Sequence, residues 1–217
     1  MATLRIGLYA EGPTDQAFLP NIITREAWNL IAQSRRGNFD VAEDVVPVPR
    51  SDGVEGILQT RDAINVMCLH VDGAGDPEGA LQNVLGPIEV RLRAQGYGVP
   101  LVRVVPVREI EAWALVDPSA ICSALGRAEA NFRYADLPRD LNLMDHPAHV
   151  ERVPDPKRAM NDTIKGMIGD RGAKRTPSRI FLRLIAEHIR MERLHQVPQY
   201  VRFRDELVRA LESIGAF

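Results

Sequence analysis

The run Ala63–Val71 (AINVMCLHV) constrains this chain more than any other segment. It is almost continuously apolar and ends abruptly at Asp72-Gly73-Ala74-Gly75-Asp76-Pro77. A run of this kind suits a central parallel strand, whose two faces are both covered by helices. It carries Asn65 and His70 and is far short of the ~20 apolar residues of a membrane span. A strand buried on both faces needs neighbours, and the flanking segments supply them.

Leu4–Ala10 (LRIGLYA) reads as a first strand, stopped by Glu11-Gly12-Pro13-Thr14-Asp15. Pro13 suits the first turn of a helix. Phe18, Leu19, Ile22, Ile23, Ala27, Leu30 and Ile31 then recur at helical spacing. Val41–Val48, interrupted by Pro47 and followed by Pro49, fits an edge strand. Glu78–Gln95 reads as a helix and Pro100–Val107 (PLVRVVPV) as a fourth strand. Strands alternating with helices imply βαβ units and a mostly parallel sheet of about four strands. From Pro118 no convincing strand follows. Residues 127–155 are rich in loops, and helical patterns recur near 157–168, 177–194 and 200–214. The expected organisation is an α/β core over residues 1–117 and a helical extension over 118–217 packed on it.

Charge separates the same regions. Residues 51–173 hold 13 Lys+Arg against 18 Asp+Glu, whereas residues 174–217 hold 9 against 5. The net charge of −2 disfavours binding of polyanions by overall charge. The N-terminal segment lacks the pattern of a signal peptide, and Cys68 and Cys122 read as reduced and buried. The expected setting is cytoplasmic, without a membrane. There is no G-x-x-x-x-G-K-[ST], no G-x-G-x-x-G after strand 1 and no G-x-S-x-G. P-loop, dinucleotide-binding and nucleophile-elbow chemistries are thereby disfavoured. His146 and His149 lie in a loop with no cysteine nearby, a poor start for zinc.

Ligands of open parallel sheets bind beyond the carboxyl ends of the strands. Three of the expected strands deliver acids there: Glu11 after the first, Asp72 after the third, and Glu109 and Glu111 after the fourth. Asp15 lies one helical turn beyond Glu11, and Asp76 lies four residues beyond Asp72. Converging carboxylates repel unless a cation stands between them. Oxygen-only donors favour Mg2+ or Mn2+ over zinc, and such a centre suits phosphodiester hydrolysis.

Glu11-Gly-Pro-Thr-Asp15 followed by Phe18-Leu19, with Asp72 after a hydrophobic strand, resembles the Toprim domain of topoisomerases, primases and OLD-type nucleases. Together with Val71-Asp72-Gly73, Ile110-Glu111-Ala112-Trp113-Ala114-Leu115-Val116-Asp117, Asp155-Pro156-Lys157 and the basic tail, it resembles the uncharacterised bacterial family DUF4276, often described as Toprim-like. The resemblance covers most of the chain. It implies a Toprim-like sheet and a divalent-metal site using the acid after strand 1 and the acids after strand 3. By analogy with OLD-type nucleases it adds Asp15 as a ligand and a possible ABC/OLD-type ATPase partner in phage-defence loci. The sequence departs from the family pattern at one point. Toprim domains usually carry Asp-x-Asp after the third strand, whereas here the pair is Asp72-Gly73-Ala74. Asp76, on a flexible glycine turn, is the available substitute.

The resulting expectation is a Mg2+- or Mn2+-dependent nuclease or nuclease-like subunit. Glu11, Asp15, Asp72, Asp76 and Glu111 are the candidate ligands, and Glu11, Asp72 and Lys157 the candidate catalytic residues. Lys157, Lys174 and Arg175 are expected to meet a nucleic-acid backbone. Arg183, Arg190 and Arg193 are expected on one helix whose Ile180, Leu184 and Ile185 face the core. The alternatives are a catalytically degenerate docking module and a small-molecule phosphohydrolase using the same acids.

Overall fold

The computed structural model describes residues 2–34, 39–175 and 177–217, apart from the side chain of residue 131. Its elements run β1 (Ala2–Leu4), β2 (Ile6–Ala10), α1 (Pro13–Gln33), β3 (Phe39–Val41), β4 (Val46–Pro49), α2 (Gly53–Gln59) and β5 (Val66–His70). They continue through α3 (Pro77–Ala80), α4 (Gly86–Ala94), β6 (Leu101–Val104), α5 (Glu111–Leu115), α6 (Pro118–Leu125), α7 (Pro156–Arg175), α8 (Ser178–His188), α9 (Met191–Leu194) and α10 (Pro198–Ser213). Four strands form one parallel sheet in the order β4-β2-β5-β6, with helices on both faces. The protein is α/β, and Val46–Pro49 lies at an edge of the sheet as Pro47 and Pro49 require. No strand follows residue 118 among the described residues, and none of their helices is long and apolar enough to cross a membrane.

Two expected strands divide. Leu4–Ala10 breaks at Arg5, where the backbone N–H donates to Asn65 Oδ1 at 2.7 Å. Ala2–Leu4 then pairs with Phe39–Val41 as a separate two-stranded ribbon. The helix after β5 also contains a wider turn over Leu81–Leu85, where hydrogen bonds skip one residue further.

All five residues of β5 are buried. Alternate residues serve opposite faces of the sheet. Leu8, Ala10, Cys68, Val102 and Val104 pack beneath α1 and the C-terminal helices, while Tyr9, Met67, Leu69 and Val105 pack beneath α2 and α4. The first layer runs without interruption from Leu4 to Ala216, so residues on both sides of position 117 share it. Trp113 anchors the junction, its ring edge-on to Tyr200 at 5.1 Å between centroids.

The basic tail is built differently from expectation. Its helix ends at His188, because Ile189 and Arg190 take extended backbone (ψ 135° and 119°). Arg190 turns inward and donates to the fully buried Asp117 from its backbone N (2.8 Å), Nε (3.0 Å) and a terminal nitrogen (2.6 Å). Arg193 donates to the carbonyls of Val116, Leu143 and Met144. These two arginines tie the extension together, and they do not share the helix of Arg183 as expected, because that helix ends at His188. Ile185 is buried as expected, Leu184 is half-buried and Ile180 is exposed, and Phe181 and Leu182 complete the buried face.

Candidate functional site

The register sets the last residues of the strands level. Pro49 stands beside Ala10 and His70 beside Val104, so Arg50, Glu11, Asp72 and the 105–109 segment all leave one edge. β2 is flanked by the later strands β4 and β5, and chain direction across the sheet reverses there. That switch point is where ligands of parallel sheets bind. A cleft of ≈ 290 Å³ opens at it, lined by Glu11, Asp15, His70, Asp72, Glu109, Glu111 and Lys157 among others. Its walls are held by backbone: Gly73 N–H donates to Pro106 O (3.1 Å) and Gly75 N–H to Val107 O (2.7 Å). A methyl group on Gly73 would stand 2.3 Å from Pro106 O, so glycine is what lets the two loops touch.

Within the cleft each acid has a distinct environment. Glu11 is two-thirds exposed and paired with Arg50. Asp15 is buried in the first turn of α1, where its Oδ2 accepts the Gly12 N–H at 2.8 Å. His70 is buried, with Nδ1 2.8 Å from the Val104 carbonyl oxygen. Its Nε2 faces Asp72 Oδ1 at 3.5 Å and Asp15 Oδ1 at 3.7 Å. All three neighbours are acceptors when the two acids are ionised, an environment that favours the doubly protonated ring. Burial opposes that charge, but the attraction of Asp15 and Asp72 outweighs it and holds the His70 pKa up at about 9. In Asp15, burial favours the neutral acid, but His70, the Gly12 N–H and Lys157 pull its pKa below the usual range.

Glu111 opens α5 and is buried. Burial, with the nearby charges of Glu109 and Asp72, lifts its carboxyl to about 7, against the opposing pull of its own backbone N–H and Lys157. Burial raises Glu109 as well, with Asp72 and Asp155 adding to it and Lys157 opposing. Lys157, in the first turn of α7, is thus the cation from the helical extension that reaches these acids. Carboxylates shifted upward by burial and by one another mark a site with uncompensated negative charge.

Glu11, Asp15, Asp72, Glu111 and Lys157 therefore share one cleft, and Asp76, Lys174 and Arg175 do not line it. Asp76 caps α3, accepting the Gly79 N–H at 3.0 Å, and its Asp-Pro step is the sequence signature of that role. Ala74, two residues after Asp72, adopts φ 49°. It lines an adjoining groove of ≈ 430 Å³ with Asp72, Arg108, Glu109 and Asp155. Lys174 and Arg175 lie at the far end of α7. His70 and Arg50 are the residues that sequence reasoning missed. The signal for His70 was a titratable side chain ending a strand with two buried faces, which must find partners. No local signal marked Arg50.

Oxygen-only donors in an acid-rich cleft fit a hard divalent cation. The acids are not preassembled around one: among the described residues no group of three or more His, Cys, Asp or Glu side chains stands in a metal-holding arrangement. Glu11 turns to Arg50, and Asp15 and Asp72 turn to His70. Both oxygens of Asp15 are thus engaged, which leaves Glu11, Asp72, Glu109 and Glu111 as the carboxylates with at least one oxygen outside these pairs. Comparison of the chain with family models, with curated proteins and with solved structures returns no match.

Proposed function

We propose that this protein is a divalent-cation-dependent phosphodiesterase acting on nucleic acid, with Glu11, Asp72 and Glu111 holding one Mg2+ or Mn2+. The observation that carries the reading is the gathering of acids from three adjacent strand ends, with Lys157, in one cleft at the switch point. Five carboxylates face His70, Lys157 and the Arg50 partner of Glu11, so the cleft repels phosphate until a further cation enters it. When bound, such a cation draws charge from the phosphoryl oxygens and makes water a better nucleophile.

The chain's own residues divide the remaining work. Lys157 offers its ammonium to a non-bridging phosphoryl oxygen. Asp72 is fixed from behind by His70, and Asp15 anchors that ring from the other side. Glu109, whose carboxyl is raised and only partly buried, is placed to take the proton from the attacking water. The cleft shares Asp72 and Glu109 with the neighbouring groove and so continues along the surface. That favours an extended substrate over a small enclosed one.

Cleavage of plasmid and oligonucleotide DNA and RNA in Mg2+ or Mn2+ tests the proposal. Wild type cleaves, and Glu11→Gln lowers the rate at least about 100-fold with an unchanged melting curve. Cleavage that survives Glu11→Gln refutes the assignment. No cleavage by wild type, with or without a neighbouring ATPase, turns the reading to a docking module built on the same fold.

A further inference from the structure

Arginine supplies most of the 27 basic residues of this chain, and its three lysines, Lys157, Lys165 and Lys174, all lie on α7. The first sits in the acid cleft. Lys165 follows eight residues later, about 12 Å along the helix axis. At Gly169 the backbone leaves helical geometry (φ 75°, ψ 163°) and the helix kinks. Around the kink, charge accumulates: residues 165–183 hold Lys165, Arg171, Lys174, Arg175, Arg179 and Arg183 against the single acid Asp170.

Lys165 pairs with Asp162 and Arg183 with Glu187, but the other four differ from the remaining basic residues of the extension. Arg190, Arg193, Arg202 and Arg204 are spent on internal partners. Arg171, Lys174, Arg175 and Arg179 are exposed, and among the described residues no carboxylate lies within ion-pair distance of them. The kink also has a shape. Lys165, Lys174, Asn161 and Ser178 line one depression of ≈ 120 Å³, floored by Ile164 and Phe181. Two ammonium groups, an amide and a hydroxyl around an apolar floor match a backbone phosphate and its sugar.

We infer that the kink of α7 and the start of α8 form a second nucleic-acid backbone site, remote from the cleft and joined to it by α7. The inference rests on the phosphodiesterase reading for the nature of the ligand and adds where the flanking strand runs. At a rise of 3.4 Å per base pair, the 12 Å from Lys157 to Lys165 spans about four base pairs, and Lys174 lines the same depression as Lys165. At that stacked rise a trinucleotide held in the cleft covers about 7 Å and falls short of Lys165, whereas about 20 nucleotides pass it.

The test measures binding without turnover: fluorescence anisotropy with Ca2+ in place of Mg2+ or Mn2+, with a labelled trinucleotide and labelled single strands and duplexes of about 20 nucleotides. The variant is K174E/R175E/R179E in the full-length chain, with a thermal melt to verify folding. The milder K174Q/R175Q replaces it if the triple variant does not fold. Wild type binds the long ligands with a steep salt dependence. The variant loses at least about tenfold in affinity for them and flattens the slope of log K against log salt by about two to three. Its affinity for the trinucleotide stays at the wild-type value. Equal loss on both lengths, wild-type binding by the variant, or equal competition by polyglutamate overturns the inference. The two readings separate: length-dependent binding at the kink without cleavage in Mn2+ refutes only the phosphodiesterase, and cleavage with unaltered long-strand binding by the variant refutes only the second site.

Discussion

Replacing His70 by glutamine removes the one buried cation that faces both Asp15 and Asp72. The ring's pKa rises from its ordinary 6.5 to about 9 in the folded protein. A raised histidine pKa means that folding takes up a proton. The stabilisation is thus complete below about pH 6.5 and is lost as pH climbs through about 9. At 1.36 kcal/mol per pH unit the shift corresponds to about 3 kcal/mol. That agrees with the 3–5 kcal/mol typical when one partner of a buried ion pair is removed. Urea unfolding of both proteins in EDTA, followed by circular dichroism from about pH 6 to pH 10, reads the difference directly. The gap between wild type and His70→Gln should be about 3 kcal/mol at the acid end and close by about 1.4 kcal/mol per pH unit above 6.5. Glu111 titrates in both proteins and cancels in that difference. Lost ring packing adds only an offset independent of pH. A gap that does not change with pH would show that His70 is an ordinary neutral core residue and would refute the imidazolium.

Glu111→Gln works in the opposite sense. A carboxyl raised from 4.5 to about 7 by burial costs stability once it ionises. The metal-free variant should therefore gain about 1–3 kcal/mol near pH 8, with no gain below about pH 4.5, in the same unfolding assay. If Glu111 is a ligand, wild-type Mn2+ affinity measured by calorimetry should rise as pH passes through about 7, because the cation competes with its proton. The variant should lose that dependence. Gly73→Ala forces a methyl group against two backbone carbonyls, 2.3 Å from Pro106 O and 2.6 Å from Val107 O. It should cost on the order of 2–3 kcal/mol and weaken Mn2+ binding as Asp72 is displaced. Wild-type stability in that variant would show that the loops separate freely.

How far the sequence carries these conclusions depends on whether each signal is local. Val66–His70 is legible because burial on both faces leaves no room for polar alternation, and the acids after β2 and β5 are legible because they lie within two residues of a strand end, whereas Glu109 and Glu111 follow the end of β6 only after a loop. The exact extents are not. The break at Arg5 depends on a hydrogen bond to Asn65, 60 residues away, and no window of sequence contains it. Asp76 and Asp117 are both readable as helix caps from the proline that follows each, and for Asp76 that local signal competes with the metal reading. The inward turn of Arg190 was hidden because its partner, Asp117, lies 73 residues earlier. The helical period of 177–194 is satisfied whether the last turn continues or unwinds toward that carboxylate. The same limit applies to His70: its position at a strand end was visible, but the second carboxylate beside it comes from the helix after β2.

The central claim is that Glu11, Asp72 and Glu111 together hold a divalent cation, and the most direct measurement is a crystal soaked in Mn2+ and examined by anomalous scattering. The account predicts one strong peak in the cleft beyond the carboxyl ends of β2 and β5, with oxygen ligands from those three residues, and Glu11 released from Arg50. Lys157 should stand beside the peak and not coordinate it. A cleft that stays without a peak at saturating Mn2+, with Glu11 still paired to Arg50, would contradict it.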